Sequence, residues 1–178
     1  MRRLGFGQCA GQVVQTAYVV SDVRAAIDWW IHDARVGPWF LLESFQDPRA
    51  LYRGRPSTAD VSIAMAFAGH MQVELIQARD GEPSVYRETI DQRGYGFHHL
   101  GIAFEDVEAQ REAYQARGYT VAFSTPVPSG GHVYYMDGGG GPGFVELIPA
   151  TPGMDELFTR YWRASLEWDG REPVRPFG

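Results

Sequence analysis

Apolar and polar residues follow the same order in two stretches of this chain. Residues 12–31 read QVVQTAYVVSDVRAAIDWWI, and residues 96–115 read GFHHLGIAFEDVEAQREAYQ. Each stretch begins with an apolar, strand-like run and continues with apolar residues at helical spacing. Between the two parts stands an aspartate that suits a helix N-cap, Asp22 in the first stretch and Asp106 in the second. The pattern predicts a strand followed by a helix, twice.

The ends of the two halves are also alike. Residues 71–77 read MQVELIQ and residues 143–149 read GFVELIP, so both contain Val-Glu-Leu-Ile. Two more strand-like runs precede each of these endings: PWFLLE and DVSIAMAFA in the first half, YTVAFS and HVYYM in the second. The chain is therefore predicted to contain a βαβββ unit twice, with a longer middle in the first copy.

This repeat predicts an α+β fold and a division of the chain into five parts. They are an N-terminal segment 1–11, a first βαβββ module 12–80, a linker helix within 81–95, a second βαβββ module 96–150, and a C-terminal helix with an irregular tail 151–178.

Charge and composition narrow the classes of partner. The formal net charge is −6 and no Lys/Arg-rich run occurs, which disfavours nucleic acid. Cys9 is the single cysteine, so an intrachain disulfide is impossible and a reducing compartment fits. No run approaches the roughly 20 apolar residues of a membrane span, and the start of the chain lacks an apolar signal core. We expect a cytoplasmic protein that acts on a small molecule, without a membrane.

Four polar residues stand at equivalent places in the two copies. Glu74 and Glu146 lie in the middle of apolar strands, where an unpartnered carboxylate is costly. Gln15 and His99 lie 84 residues apart on the two opening strands. If the units pack with twofold pseudosymmetry, the four side chains can converge. Two carboxylates, an imidazole and an amide oxygen suit a divalent transition metal.

At this point the sequence resembles the vicinal oxygen chelate superfamily, which includes glyoxalase I, methylmalonyl-CoA epimerase, fosfomycin-resistance enzymes, extradiol dioxygenases and bleomycin-resistance proteins. The resemblance covers residues 12–150 and rests on QTAYVVSD, MQVELIQ, HHLGIAFED and FVELIP. It implies paired βαβββ modules that form a cup-shaped mixed sheet around a metal, and a homodimer. By motif, the metal ligands would be Gln15, Glu74, His99 and Glu146.

The ligand set resembles that of zinc-type glyoxalase I, and the epimerases use a related mixture. The resemblance implies a metal-dependent lyase or isomerase that transfers a proton next to a carbonyl, through an enediolate. Zinc, or nickel, cobalt or manganese, is the expected ion, with iron less favoured. Glu146 is the first choice as base, and Glu74 is either a second base or a fixed ligand.

Three further residues are predicted to contact substrate. Tyr135 and His132 lie in HVYYMD, although strict alternation puts them on different faces, and Trp39 stands at the start of a strand near the expected mouth of the cup. Each has an alternative interpretation as a core or strand residue. The same alternation predicts that His98 faces away from His99.

Two other functions stay open. Drug-sequestering members of the superfamily keep the fold without the ligand set, so a small-molecule binding protein is the main alternative. An iron-dependent dioxygenase is the third possibility. Gln15 argues against it because such sites need two histidines and one carboxylate.

Overall fold

The computed structural model describes residues 2–178, which form four helices and eleven strands. The first half contains β1 (Val13–Val19), α1 (Val23–His32), β2 (Trp39–Phe45), β3 (Leu51–Tyr52), β4 (Arg55–Pro56), β5 (Val61–Ala68) and β6 (Met71–Ala78). The second contains α2 (Val85–Arg93), β7 (Gly96–Phe104), α3 (Val107–Ala116), β8 (Thr120–Pro126), β9 (His132–Asp137), β10 (Phe144–Pro149), α4 (Pro152–Leu166) and β11 (Val174–Pro176).

Local signals in the sequence set where the helices begin. The Asp22 carboxylate accepts hydrogen bonds from the amides of Arg24 and Ala25 at the start of α1, and the Asp106 carboxylate accepts one from the amide of Ala109 in α3. Thr151 caps α4 in the same way, with proline at its first position. These caps satisfy amides that have no partner within the helix.

All strands join one curled, unclosed sheet in the order β11-β2-β5-β6-β1-β7-β10-β9-β8-β3-β4. The opening strands β1 and β7 pair antiparallel at its centre, and each pairs parallel with the closing strand of its own half, β6 or β10. The predicted α+β fold with a cup-shaped mixed sheet is confirmed. The five residue ranges proposed for its parts stay a prediction.

The longer middle of the first half forms the β3–β4 hairpin, which joins the far edge of the second half. Leu51 pairs with Ser124 and Tyr52 with Phe123 on β8. Arg53, in the turn of this hairpin, forms ion pairs of 2.6 Å with Glu88 and 2.7 Å with Asp137. The hairpin therefore ties the two halves together beyond the central β1–β7 pair.

The two faces of the sheet carry different layers. On one face, Val23 and Ile27 of α1 pack in a core cluster with strand residues, and Tyr114 of α3 packs in another. The opposite face holds two clusters, one of which includes Leu4, Phe6 and α4. The tail was predicted to be irregular, but β11 pairs with β2. No helix within residues 2–178 is long and apolar enough to span a membrane.

Candidate metal centre

Four adjacent strands at the centre of the sheet bring together the four polar residues predicted from the repeat. Gln15 on β1 pairs with Gly101 on β7, and Gly101 pairs with Glu146 on β10. Two residues further along β1, Ala17 pairs with Glu74 on β6 and with His99 on β7. Since side chains on neighbouring strands in register share a face, all four point into the cup.

The imidazole of His99 lies at the middle of this group. Its Nε2 atom is 3.1 Å from Oε1 of Gln15, 3.4 Å from Oε2 of Glu74 and 3.1 Å from Oε2 of Glu146. One ligand atom each from Glu74, His99 and Glu146 lies within 4.8 Å of the others. Burial lowers the pKa of His99 to about 3, so the ring is neutral and these contacts are not ion pairs.

The two carboxylates are strongly destabilised when charged. Burial raises the pKa of Glu146 to about 8, and burial together with the neighbouring Glu146 raises the pKa of Glu74 well above its ordinary value. Oε2 of each is buried without a hydrogen-bond partner among the described residues. A divalent cation would satisfy both atoms and compensate both charges, so the chemistry of the group fits a metal.

The backbone leaves space for this arrangement at Gly101. A Cβ atom there would lie 2.5 Å from Oε1 of Gln15 and 2.7 Å from Cδ1 of Ile148. Any side chain at this position would displace the Gln15 amide. The residues that could hold a metal are therefore Gln15, Glu74, His99 and Glu146.

His98 also lies on the cup side of the sheet, contrary to the prediction from alternation. The pairing of β1 with β7 shifts between Ala17, opposite His99, and Tyr18, opposite Phe97, which leaves His98 as the extra residue of a bulge. Nδ1 of His98 lies 2.8 Å from Nδ1 of His99, and both rings are fully buried. A bulge is not visible in a hydrophobic pattern, because it depends on the partner strand.

A cavity of about 130 Å³ adjoins the group and includes Gln15, Glu74 and Glu146 in its wall. Tyr135, a predicted substrate contact, lines it. The hydroxyl of Tyr135 lies 3.4 Å from that of Tyr86 on the linker helix α2. Burial raises the pKa of both tyrosines, so both hydroxyls keep their protons at neutral pH and remain hydrogen-bond donors.

The other two predicted substrate contacts lie elsewhere. Trp39 is fully buried on the α1 face of the sheet, where its indole nitrogen donates to the carbonyl of Val36. The side chain of the next residue, Phe40, lies on the cup side of the sheet instead. His132 is exposed at the start of β9, with its ring beside Tyr134 rather than in the cavity wall. Neither side chain lies in the wall of the cavity beside the polar group.

Sequence reasoning missed two parts of the cavity wall. Tyr86 comes from α2, and Met154, Leu157 and Phe158 come from α4, together with Phe177 near the chain end. The i, i+3, i+4 spacing of the three α4 residues was a usable signal for a buried face, although it could not show what that face covers.

The sequence profile of the glyoxalase/bleomycin resistance protein/dioxygenase superfamily matches residues 14–136. The chain belongs to this superfamily. The matched range contains three residues of the group, while Glu146 lies beyond it. No curated protein matches the chain.

Solved structures with the superfamily's fold are similar to this chain. Methylmalonyl-CoA epimerase from Mycobacterium tuberculosis shares 18% identity with a TM-score of 0.57, over 85% of this chain and 98% of that one. A hypothetical protein from Bacillus halodurans gives 18% and 0.57, over 79% and 94%. The Streptomyces coelicolor epimerase in complex with 2-nitronate-propionyl-CoA gives 13% and 0.53, over 80% and 100%. At these identities the likeness concerns the fold.

Proposed function

We propose that this protein is a metal-dependent isomerase or lyase that moves a proton at a carbon next to a carbonyl group. The observation that carries the proposal is the convergence of Glu74, His99 and Glu146 within 4.8 Å, at the wall of a cavity. Burying two carboxylates with unpartnered oxygens lowers the stability of the fold. Such groups are typical of functional sites.

The division of labour follows from the surroundings of each residue. Gln15, Glu74, His99 and Glu146 would hold a divalent ion, which would act as a Lewis acid toward a substrate carbonyl and make the neighbouring C–H more acidic. Gln15 and His99 are neutral and serve as fixed ligands. Glu146 accepts the proton, since its Oε2 atom is buried without a hydrogen-bond partner and its side chain lines the cavity that would hold the substrate. Glu74 is a fixed ligand or the second base.

Tyr135 is proposed to orient the substrate. Its ring lies 4.7 Å from the ring of His99, centroid to centroid, and its hydroxyl keeps its proton. A protonated phenol in the cavity wall can donate a hydrogen bond to a substrate oxygen and hold the reacting carbon near Glu146.

The first test is the metal content of untagged protein by mass spectrometry, for the wild type, His99→Ala and Glu146→Gln. We expect close to one transition-metal ion per wild-type chain and loss of that ion in His99→Ala. Exchange of α-protons into D₂O is then followed by NMR over panels of α-keto and thioester compounds. Failure to take up zinc, nickel, cobalt, manganese or iron(II) would refute the enzymatic proposal.

A small-molecule binding protein is the second candidate. The apolar cavity supports it, because such a cavity can hold a ligand without chemistry. Ligand binding that is equal in the wild type and His99→Ala, with no proton exchange, would favour this alternative. Iron-dependent oxygen chemistry is less favoured because Gln15 stands where a second histidine ligand would be needed; oxygen uptake by the iron-loaded protein would reveal it.

We also propose a homodimer. The support is the superfamily, whose members commonly form dimers. Light scattering at several concentrations measures the oligomeric state, and a concentration-independent monomer would contradict the proposal.

A further inference from the structure

We infer that the substrate is a compact, mostly apolar molecule whose buried part is about the size of one aromatic ring, and that the C-terminal residues 152–178 impose this choice. The inference rests on the proposed function, since it concerns the same cavity. The proposed metal chemistry concerns only the reacting carbon, and the inference adds the size and polarity of the rest of the substrate.

Away from the proposed ligands, the side chains of the cavity wall offer hydroxyl groups and no charge; the hydroxyls are those of Tyr86, Thr125, Ser129 and Tyr135. Most of its other members are aliphatic or aromatic, including Leu42, Ile63, Phe123 and Val133. No arginine lines it, and the chain contains no lysine. A phosphate, or a carboxylate outside the reacting group, would enter without a compensating cation, and burying such a charge is costly.

The C-terminal residues are firmly fixed in the wall. Tyr161 of α4 stacks on Phe40 of β2 with a centroid distance of 3.7 Å, and Asp155 pairs with Arg2 at 3.0 Å. The strand β11 then pairs with β2 and leads to Phe177. Tyr161 also accepts a hydrogen bond of 3.4 Å from the amide of Gly178. The helix α4 and the tail that follows it therefore form a fixed part of the cavity wall.

The volume sets the size of the ligand. Apolar cavities of about 150 Å³ bind one benzene molecule, and this cavity is about 130 Å³. One ring or a short branched chain fits beside the metal group. The chemical class is therefore an aryl or branched-alkyl compound with a carbonyl group next to the reacting carbon.

The test compares probes that share a chelating group on zinc-loaded protein. Benzohydroxamate and acetohydroxamate carry the same two oxygens but differ in the apolar body, and propionyl-CoA represents a large, charged thioester. Calorimetry is expected to show benzohydroxamate binding about 10- to 100-fold more tightly than acetohydroxamate, as burial of one ring predicts. Propionyl-CoA should not compete. Phe177→Ala should reduce the preference, while Val174→Ala, at an exposed position of β11, should not.

Equal affinities for the two hydroxamates, or competition by propionyl-CoA, would overturn the inference while leaving the metal site intact. A chain that takes up no metal refutes the proposed function instead. The cavity is then tested alone by titrating benzene into metal-free protein and following the methyl signals of Met65 and Met154 by NMR. No benzene-dependent shift at either methionine would overturn the inference in that case also.

A second inference comes from the bulge in β7. We propose that His98 is a positioning residue that fixes the tautomer of His99, again resting on the proposed metal site. Nε2 of His99 faces the other ligands, so it must offer its lone pair to a metal and carry its proton on Nδ1. That proton points at Nδ1 of His98, 2.8 Å away.

The remaining contacts of His98 are consistent with this chain of hydrogen bonds. If His98 accepts at Nδ1, its own proton is on Nε2, which lies 3.4 Å from the carbonyl of Val85. The ring also stacks on Tyr86, with a centroid distance of 5.1 Å. The carbonyl at the start of α2 thus orients His98, and His98 orients the ligand. Partners of this kind typically change metal affinity 10- to 100-fold.

His98→Phe keeps an aromatic ring against Tyr86 but removes the acceptor, whereas His98→Asn restores an acceptor. Zinc affinity, measured by competition with a chromophoric chelator, should fall 10- to 100-fold in His98→Phe and recover in part in His98→Asn. The melting temperature of the metal-free chain reports any structural effect separately. In the zinc-loaded wild type, ¹⁵N NMR should show a coupling between the two Nδ1 atoms across the hydrogen bond.

Unchanged zinc affinity in a folded His98→Phe variant would overturn the positioning role. If that variant does not fold, the NMR measurement on the wild type decides. A His99 ring protonated on Nε2 in the zinc-loaded protein would likewise overturn it.

Discussion

The amide oxygen of Gln15 lies 3.1 Å from Nε2 of His99, although 84 residues separate the two in the chain. The contact crosses the antiparallel junction between β1 and β7, where the two halves of the sheet meet. It joins the equivalent positions of the two repeats. The sequence repeat therefore places two equivalent side chains in direct contact.

The space beside this contact gives the first prediction. Gly101→Ala would place a Cβ atom 2.5 Å from Oε1 of Gln15, so the amide must move. We expect zinc affinity to fall about tenfold or more, measured by chelator competition. Gly81→Ala is the matched control, because a Cβ there meets no atom within 4 Å. Equal zinc affinity in both variants would show that the position of Gln15 does not matter.

The two glutamates should differ in their effect on turnover. Replacing Glu146 with Gln removes the proposed base but keeps an oxygen that can contact the metal. Once a substrate is found, the rate of α-proton exchange should fall about 10²- to 10⁴-fold in Glu146→Gln. If Glu74 is only a ligand, Glu74→Gln should lower metal affinity more than the rate of the fully loaded enzyme. The reverse ranking would exchange the two assignments.

The metal-free protein should lose stability as the pH rises. In the folded chain, burial raises the pKa of Glu146 to about 8, above its ordinary value of 4.5. The folded state therefore holds this proton more tightly than the unfolded state, and the contribution of Glu146 to stability is lost as the pH rises from about 4.5 to about 8. The buried histidines, whose pKa is lowered, have the opposite effect below about pH 6.5, so the decline is expected at the upper end of this range. The loss is on the order of 1–4 kcal/mol.

The measurement is urea unfolding in the presence of a chelator. The slope above about pH 7 comes mainly from the glutamates, because burial lowers the pKa of His98 and His99 and these histidines gain protons on unfolding only below about pH 7, near the ordinary pKa of roughly 6.5. Glu146→Gln should flatten the decline in this window. A slope that is the same in the variant and the wild type would show that Glu146 does not titrate there.

The ion pair in the turn of the β3–β4 hairpin gives a prediction in which stability is lost as the pH falls. The hydrogen bond from Arg53 lowers the pKa of Glu88, so this contribution to stability is present at neutral pH and is lost as the pH falls below about 4.5. Because the pair is partly exposed, Arg53→Met should cost only about 1 kcal/mol at pH 7. It should cost less at pH 3. Arg55→Met in β4 is the control, and an equal loss at both pH values would exclude the ion pair as the cause.

The repeat was enough to predict much of the fold. The similarity of the two halves and the alternation of apolar residues predict the strands β1, β6, β7 and β10. The equivalent positions of Glu74 and Glu146 in the closing strands predict that both face the same side of the sheet. These features depend on local pattern and duplication, which a single sequence carries. The superfamily followed from the same residues, and the profile match over residues 14–136 confirms it.

The errors arose where tertiary pairing overrides local pattern. His98 faces the cup because of a register shift against β1, and alternation alone gave the wrong face. The position of Trp39 at the start of a strand predicts a place at the mouth of the cup, but Trp39 packs on the α1 face and the next residue, Phe40, packs on the opposite face. The tail looked irregular because three residues of edge strand, Val174–Pro176, gain their order from β2.

The four polar residues are shared equally between the halves: Gln15 and Glu74 come from the first, His99 and Glu146 from the second. An ion bound by all four would belong to neither half and would act as a crosslink between them. Its binding free energy would then oppose separation of the two halves, not only unfolding of the chain. Removing the ion would leave the β1–β7 pairing and the β3–β4 hairpin to hold the halves together, so chelation should lower the melting temperature of the whole chain.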